Sequence, residues 1–243
     1  MGRLNVQNLT FTHPDRPILL NASMSIDSGS IVGLLGPNGS GKTTFFDILC
    51  GLTEAKSKNI YNTFSNHIYL SQTISTPHTL RMFDVFRMVT LIASTEKVTQ
   101  HQALEKLKQW SPEIITRYKS IWNKKSSICS YGEKRWFFTL TLLALEAELV
   151  ILDEPTAGVD PEFRHYIWKC LRGAAQDGAA ILVSSHNTEE IAANCDRFYM
   201  LSERIFKPFR CGEEFKKHYN ARTLDEPFIR AAAPAGNEHE RLV

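Results

Sequence analysis

The stretch IVGLLGPNGSGKTTFFDIL, residues 31–49, decides the fold of this 243-residue chain. Its first five residues are apolar, and a glycine-rich turn separates them from a segment with helical spacing. An apolar run without polar alternation is typical of a strand that is buried on both faces of a sheet. A strand followed by a turn and a helix therefore predicts an α/β protein built on a parallel sheet.

The turn GPNGSGKT, residues 36–43, fits the P-loop pattern GxxxxGK[ST] at every fixed position. Its glycines permit backbone angles that other residues avoid, so successive N–H groups can surround phosphate oxygens at the start of a helix. Lys42 is expected to contact the outer phosphates, and the Thr43 hydroxyl to ligate Mg²⁺. A P-loop alone does not separate ATPases from GTPases or small-molecule kinases. The predicted nucleotide-binding residues of this stretch are Gly36, Pro37, Asn38, Gly39, Ser40, Gly41, Lys42, Thr43 and Thr44.

Two further apolar runs, residues 149–152 and 181–184, predict more strands of the same sheet. The first run ends in adjacent carboxylates, Asp153 and Glu154, at the end of a strand where phosphates are expected to lie. We expect Asp153 to hold Mg²⁺ through water and Glu154 to act as the general base that polarises the attacking water. Two solvated carboxylates without a ligand are the alternative, and their position after a P-loop argues against it.

A family resemblance emerges from four motifs taken together. The segment DEPTAGVD, residues 153–160, resembles the Walker B motif and D-loop of ABC ATPases, and the segment CSYGEKR, residues 129–135, is similar to the family signature usually written LSGGQ. His186 in SSHNTEE matches the switch histidine, and Gln72 in IYLSQ matches the Q-loop glutamine. The shared order and intervals of the motifs are far more specific than any one of them.

The resemblance extends from about residue 4 to residue 219 and implies the domain organisation. We expect a P-loop NTPase fold of the ABC ATPase type over residues 1–219, with a mostly parallel sheet core, a small antiparallel β part and a helical subdomain inserted at about 73–133. Only 30 residues separate Lys42 from Gln72, which predicts a trimmed hairpin in the antiparallel part. Residues 220–243 lack periodicity and are expected to form a mobile tail.

The same resemblance implies ATP and Mg²⁺ as ligands and assigns further residues to them. Ser130 and Gly132 would contact the γ-phosphate of an ATP held by a second ATPase domain, identical or related, so that two ATP lie between two chains. The family also implies roles for His186, which would orient the water and Glu154, and for Gln72, which would reach Mg²⁺ or water. Asp160 of the D-loop is a further nucleotide contact. His13 would stack on adenine, and Phe11 is the neighbouring candidate for this contact.

The signature departs from the family pattern, because Cys129, Tyr131 and Glu133 replace the usual Leu, Gly and Gln. The carboxylate of Glu133 either weakens the closed dimer by lying near a triphosphate or points toward Lys134 and Arg135. The residues expected to carry catalysis are nevertheless all present, which predicts an active enzyme; they are Lys42, Gln72, Asp153, Glu154 and His186.

Composition excludes some classes of protein. The 28 Lys and Arg nearly balance the 26 Asp and Glu, so no strong field favours nucleic acid or an anionic membrane. The five scattered cysteines lack CxxC spacing and indicate a reduced, cytosolic protein. The opening MGRLNVQN has no apolar stretch behind it, so we expect no secretory leader. The most apolar stretch, residues 137–152, contains two glutamates and is shorter than the roughly 20 residues of a membrane span. We expect a cytoplasmic protein held at the cytoplasmic face of the membrane by a transmembrane partner.

The expected partners are a second ABC ATPase domain and a transmembrane permease subunit, to which the helical subdomain would dock. Candidate contacts are Phe83, Val85, Phe86 and Met88, although these residues can equally pack within the subdomain. The segment TAGVDP and the single-domain length resemble ATPases of the ABC-2 type, which mostly serve exporters. A non-transport membrane machine is the alternative. A soluble ABC protein of translation or DNA repair would usually need two cassettes, a long coiled coil or zinc cysteines.

Overall fold

A computed structural model describes residues 2–14, 16–55, 59–93 and 98–232 of the chain. The strands in chain order are β1 Arg3–His13, β2 Arg16–Asp27, β3 Ile31–Leu35, β4 Ile60–Asn62, β5 His67–Leu70, β6 Leu149–Asp153, β7 Ala180–Ser185, β8 Arg197–Ser202 and β9 Ile205–Phe209. The α-helices are α1 Lys42–Leu49, α2 Met82–Ala93, α3 Gln100–Trp110, α4 Ile115–Trp122, α5 Tyr131–Leu143, α6 Pro161–Gln176, α7 Thr188–Asn194, α8 Gly212–His218 and α9 Asp225–Ala232.

The larger sheet has the strand order β5-β6-β7-β3-β8-β9, and its strands are parallel except for β9, which runs antiparallel to β8. The three apolar runs of the sequence are its strands β3, β6 and β7, so the predicted α/β class is confirmed. Parallel neighbours end at the same edge of a sheet. The turn after β3 therefore lies beside the two carboxylates that end β6.

Burial on both faces explains why these strands lack polar alternation. In β6, Val150 and Leu152 belong to a core shared with α5 and α6, whereas Leu149 and Ile151 belong to a core shared with α1 and the antiparallel strands. All four side chains are at most 1% exposed. Because successive side chains of a strand point to opposite faces, a sheet covered on both sides needs apolar residues at every position.

The smaller sheet is antiparallel and has the order β2-β1-β4. Strands β1 and β2 form a long hairpin, while β4 contributes only three residues, which pair with Leu4–Val6 of β1. This short third strand agrees with the trimmed antiparallel edge that the close spacing of Lys42 and Gln72 predicts.

Helices α2, α3 and α4 lie between β5 and α5, within the segment predicted to be helical. A capping box at Thr99 and Gln102 starts α3. A 3₁₀ turn at Pro112–Ile114 precedes α4, and the hydroxyl of Ser111, the residue before this turn, donates to the Glu113 carboxylate at 2.7 Å.

The chain beyond residue 220 differs from the sequence prediction. Helix α9 is tied to the domain by two hydrogen bonds, from the Thr188 hydroxyl to the Asp225 carboxylate at 2.8 Å and from the Ser202 hydroxyl to the Ala231 carbonyl at 2.7 Å. Phe228 packs against the main core. The predicted mobile tail is therefore wrong for residues 225–232, and residues 233–243 lie outside the described part. Within the described ranges, no helix is long and apolar enough to cross a membrane.

Candidate functional site

A cavity of about 400 Å³ opens where the P-loop meets the carboxyl ends of the central strands. Its P-loop side is formed by Asn38, Gly39, Gly41, Lys42, Thr43 and Thr44. The opposite side is formed by Ile18, Gln72, Asp153 and Glu154, so most of the predicted catalytic and metal-binding residues meet at one place.

Glycine is required at position 41, where the chain enters α1. Its φ of 109° is a left-handed conformation that L side chains rarely adopt, and a Cβ there would lie 2.6 Å from Ile18 Cγ2. Helix α1 begins at the next residue, so the backbone N–H groups of its first turn, which have no partner within the helix, lie at the cavity. This arrangement suits a phosphate, which is attracted by the N–H groups and by the positive end of the helix dipole.

Lys42 is a buried cation at the floor of the cavity. Its Nζ donates to the carbonyls of Gly36 at 2.6 Å and Pro37 at 3.2 Å and lies 3.8 Å from Glu154 Oε1. Burial lowers the pKa of Lys42, while the charges of Glu154 and Asp153 act in the opposite direction. The ammonium group is therefore placed to contact a phosphate beside the two carboxylates.

The carboxylate of Asp153 is held between two hydroxyl groups. Thr43 Oγ1 donates to its Oδ2 at 2.6 Å, and Ser184 Oγ donates to its Oδ1. Mg²⁺ prefers oxygen ligands and commonly uses one or two carboxylates together with phosphate oxygens and water. The Asp153 carboxylate and the Thr43 hydroxyl are oxygen donors of this kind, so they suit a metal that is shared with a phosphate ligand.

Glu154 has its backbone and side chain fixed by separate partners. Its φ is 53°, its N–H donates to Ser184 Oγ at 3.0 Å, and its Oε2 lies 2.9 Å from His186 Nδ1. The second oxygen, Oε1, is buried, and no hydrogen-bond partner for it exists among the described residues. An ionised oxygen in this position can accept a proton from water at the cavity.

A second buried polar atom at the P-loop supports the same conclusion. The hydroxyl of Ser40 also has no hydrogen-bond partner in the described part of the chain. Buried polar groups are normally paired, and an exception is common at a site where a ligand supplies the partner. These two atoms belong to residues predicted to bind nucleotide or activate water, and a bound nucleotide with its metal and water would supply hydrogen-bond partners for both.

The signature residues lie apart from this cavity and are committed to local contacts. Ser130 caps α5, since its hydroxyl accepts from the N–H of Glu133 at 3.1 Å. Gly132 allows α5 to approach the D-loop, because a Cβ at this position would lie 2.8 Å from the Gly158 carbonyl oxygen. Neither Ser130 nor Gly132 lines the P-loop cavity.

The contacts of Glu133 correct one of its two sequence-based interpretations, the one in which it points toward Lys134 and Arg135. Its Oε2 accepts from the N–H of Ser130 at 3.0 Å, which completes a capping box, and its Oε1 accepts from Lys124 Nζ at 2.6 Å. Burial alone would raise the pKa of Glu133, but the bonds from Lys124 and Ser130 lower it below its ordinary value. The carboxylate therefore binds Lys124, which follows α4, rather than Lys134 or Arg135.

Two predicted nucleotide contacts are placed elsewhere. His13 is exposed at the end of β1 and is not among the residues that line the cavity, where Ile18 of β2 lies instead. Asp160 caps α6 by accepting from the N–H of Phe163 at 3.0 Å.

Sequence reasoning missed Ser184 and Arg135. Ser184 joins Asp153 to Glu154, and Arg135 is a fully buried cation in the first half of α5. Because Arg135 directly follows Glu133 and Lys134, no local pattern in the sequence separated it from exposed charged residues.

The chain is similar to known proteins over most of its length. The profile of the ABC transporter family matches residues 19–157, which is more than half of the chain. A profile described as AAA domain, putative AbiEii toxin, Type IV TA system matches residues 124–192. Protein McbF of Escherichia coli is 31% identical over 227 residues, which cover 90% of this chain and 91% of that protein. The lipopolysaccharide export system ATP-binding protein LptB of Escherichia coli K12 is 28% identical over 216 residues, which cover 84% of this chain and 88% of that protein.

Solved structures share the fold. The ATP-binding subunit of an ABC transporter superposes with a TM-score of 0.80 at 21% identity, covering 95% of this chain and 99% of that one. A nucleotide-free ATP-binding cassette from an ABC transporter gives a TM-score of 0.76 at 18% identity, covering 94% and 99%. Together with the geometry of the P-loop cavity, the family profile and the relatives lead to one assignment: the chain belongs to the ABC transporter family, as an ATP-binding subunit that hydrolyses ATP in coupling to transport.

Proposed function

We propose that this chain is one of two ATPase domains of an exporter, which close around two ATP and drive a transmembrane permease at the cytoplasmic face of the membrane. One observation carries the proposal: the P-loop cavity contains Lys42, Asp153 and Glu154, whereas Ser130 and Gly132 lie outside its lining. If the signature residues bind the γ-phosphate, as the family resemblance implies, they must bind one held by another chain.

In the proposed complex, ATP lies with its phosphates against α1 and Lys42. Asp153 and Thr43 would hold Mg²⁺ through oxygens that already converge at 2.6 Å, and Gln72 lines the same cavity from the opposite side. When bound, Mg²⁺ neutralises charge on the phosphate oxygens. The chain's own contribution is to orient the γ-phosphate and to keep the two carboxylates beside it.

Hydrolysis would then depend on Glu154 and His186. Glu154 Oε1 accepts a proton from the attacking water, while the contact between Oε2 and His186 Nδ1 at 2.9 Å keeps the carboxylate in place. His186 has a 58% exposed side chain and can also reach the transferred phosphoryl group. Ser130 and Gly132 of the second domain would stabilise charge that develops on that group.

The proposal that the complex is an exporter rests on a relative and on a sequence segment. LptB is named for a lipopolysaccharide export system, and the TAGVDP segment resembles ABC-2 ATPases.

On α2, Val85 and Phe86 are buried, but Met88, Leu91 and Ile92 are 46%, 61% and 82% exposed. The candidate contact with the permease is therefore narrowed to the outer face of α2.

The proposal is tested with a hydrolysis-blocked variant. Glu154→Gln protein mixed with ATP and Mg²⁺ should double its mass in light scattering, and ADP should not have this effect. The matched control is the double variant Lys42→Ala with Glu154→Gln, which should keep a single mass because it lacks the phosphate contact. If ATP caused no association, alone or with the membrane protein that co-purifies with the chain, the composite site would be rejected. Transport by vesicles that contain both proteins then distinguishes export from import.

A further inference from the structure

Arg135 is a cation with no exposed surface that spans the ends of two neighbouring strands. Its Nη1 donates to the carbonyls of Ser71 and Gln72, both at 2.8 Å. Its Nε and Nη2 donate to the carbonyl of Glu154 at 3.1 and 2.9 Å, and Nη2 also donates to the carbonyl of Asp153. All five guanidinium N–H groups are thus used on backbone carbonyls.

The position of these carbonyls explains why the site needs an arginine. Strands β5 and β6 are parallel neighbours that end at Leu70 and Asp153, so Ser71, Gln72 and Glu154 lie just beyond the ladder of strand hydrogen bonds. Of their carbonyls, that of Glu154 also accepts from the N–H of Ala157 at 3.1 Å. Carbonyls buried without partners would be costly. The planar guanidinium group has five donors and reaches both segments, residues 71–72 and 153–154, at once. A lysine ammonium, with three donors at one point, cannot do so.

Glu154 benefits most from this contact. Its φ of 53° is a left-handed conformation that costs free energy for a residue with a side chain. Ser184 accepts from its N–H at 3.0 Å, and Arg135 donates to its carbonyl, so both ends of the residue are held. The direction of the carboxylate therefore depends on Arg135 as well as on His186.

Tyr131 supplies a second contact to the same loop. It lies one helical turn before Arg135 on α5, and its hydroxyl donates to the Gln72 carbonyl at 3.1 Å. The Gln72 carbonyl therefore accepts two hydrogen bonds from α5, which uses both of its lone pairs. The Tyr131 ring also covers Gly158, where a Cβ would lie 3.1 Å from the ring. The glycine that the family signature usually has at this position could make neither contact.

We propose that Tyr131 and Arg135 are positioning residues that clamp the backbone of Gln72 to the backbone of Glu154, so that α5, Gln72 and Glu154 move as one unit. The clamp deepens the proposed function, since it rests on the roles given there to Gln72 and Glu154. A displacement of α5, produced by the permease or by the second ATPase domain, then moves both groups that act on the attacking water.

The first test removes only the tyrosine hydroxyl. Tyr131→Phe should lower the kcat of ATP hydrolysis about fivefold, the effect of one hydrogen bond, and should leave the KM for ATP unchanged. Tyr61→Phe is the matched control, because Tyr61 is exposed on the edge strand β4, and its kcat should stay at the wild-type value. An unchanged kcat in Tyr131→Phe would overturn the clamp, as would a rise in KM that accounts for the whole loss.

The second test asks whether Tyr131 acts through Gln72. Gln72→Ala removes the side chain at the end of the clamp that Tyr131 holds, while Arg135 still holds Glu154, so Tyr131→Phe should cause no further loss of kcat in that background. Independent, multiplicative losses in the double variant would assign Tyr131 a merely structural role and overturn the proposal. If Gln72→Ala alone left kcat unchanged, the role proposed for Gln72 would fail, and the clamp with it. If only Tyr131→Phe were silent, the clamp alone would fail.

Arg135→Lys tests the second residue of the clamp and keeps its positive charge. We expect kcat to fall at least tenfold, because the fork that holds the two loops is lost, while ATP affinity stays within about threefold. Wild-type kcat in a folded Arg135→Lys protein would overturn the arginine's role. If the variant does not fold, the Tyr131 and Gln72 cycle decides the proposal.

Discussion

The P-loop half and the signature half of this domain use their polar groups differently. In the P-loop half, side chains bond to one another across elements, as Thr43 does with Asp153 at 2.6 Å and His186 with Glu154 at 2.9 Å. In the signature half, Ser130 and Glu133 bond to each other's backbone within the first turn of α5. This difference fits the proposed composite site: the P-loop half gathers the catalytic side chains, and the signature half presents the start of α5, where the γ-phosphate of an ATP held by another chain would bind.

Glu154→Gln is expected to have the largest effect, because it removes the general base from the P-loop half. We expect kcat to fall about 10³-fold, in line with the usual contribution of a general base, while ATP affinity is retained. Single-turnover hydrolysis measured beside nucleotide binding separates the two effects. Turnover near the wild-type rate would show that another group activates the water.

Lys42→Ala tests the binding function of the same half. Loss of a charge-assisted contact to the phosphates should weaken ATP binding by roughly 10- to 100-fold. A fluorescent ATP analogue titrated against the single chain measures the affinity, with thermal unfolding as the check on folding. Nucleotide affinity within twofold of wild type would contradict the assignment of Lys42.

Sequence reasoning succeeded where side chains repeat a local pattern. The strands at 31–35 and 149–153 follow from apolar runs that are buried on both faces, and the glycines of the P-loop follow from the backbone angles they permit. Asp153 and Glu154 could be placed near the phosphates because they stand at the end of an apolar run, whereas the role of His186 came from the family resemblance. These features are encoded by residues close in the chain.

Contacts between distant segments could not be predicted in the same way. Arg135 bonds to carbonyls of residues 71–72 and 153–154, and a backbone carbonyl carries no sequence signal. The partner of Glu133 was missed because Lys124 is nine residues away and reaches it only through the path of the intervening 3₁₀ turn. Helix α9 was missed because its stability depends on contacts to Thr188 and Ser202 rather than on its own periodicity.

Gly132→Ala tests the proposed role of the signature half in ATP hydrolysis. A methyl group would meet the Gly158 carbonyl oxygen at 2.8 Å, so α5 and the D-loop must separate by several tenths of an ångström. We expect about a tenfold loss of steady-state hydrolysis, since displaced oxyanion-type donors commonly cost at least this much, with the chain's own ATP affinity unchanged. Ile128→Ala, at an exposed position just before the signature, serves as control. Equal losses of affinity and turnover would argue against a second-chain role for Gly132.

The smallest effect is expected for Glu133→Gln, in which an amide oxygen can replace the carboxylate oxygen of the capping box while the ion pair with Lys124 is lost. The pair is partly exposed, so its loss should lower the free energy of unfolding by under about 1 kcal/mol at pH 7. The folded pKa of Glu133 lies below its unfolded value, which means that the stabilisation is present above the unfolded pKa and is lost as pH falls through the folded pKa. Urea midpoints of the two proteins should therefore converge below about pH 4. A difference that stayed constant from pH 7 to that range would mean that the charge of Glu133 does not support the signature helix.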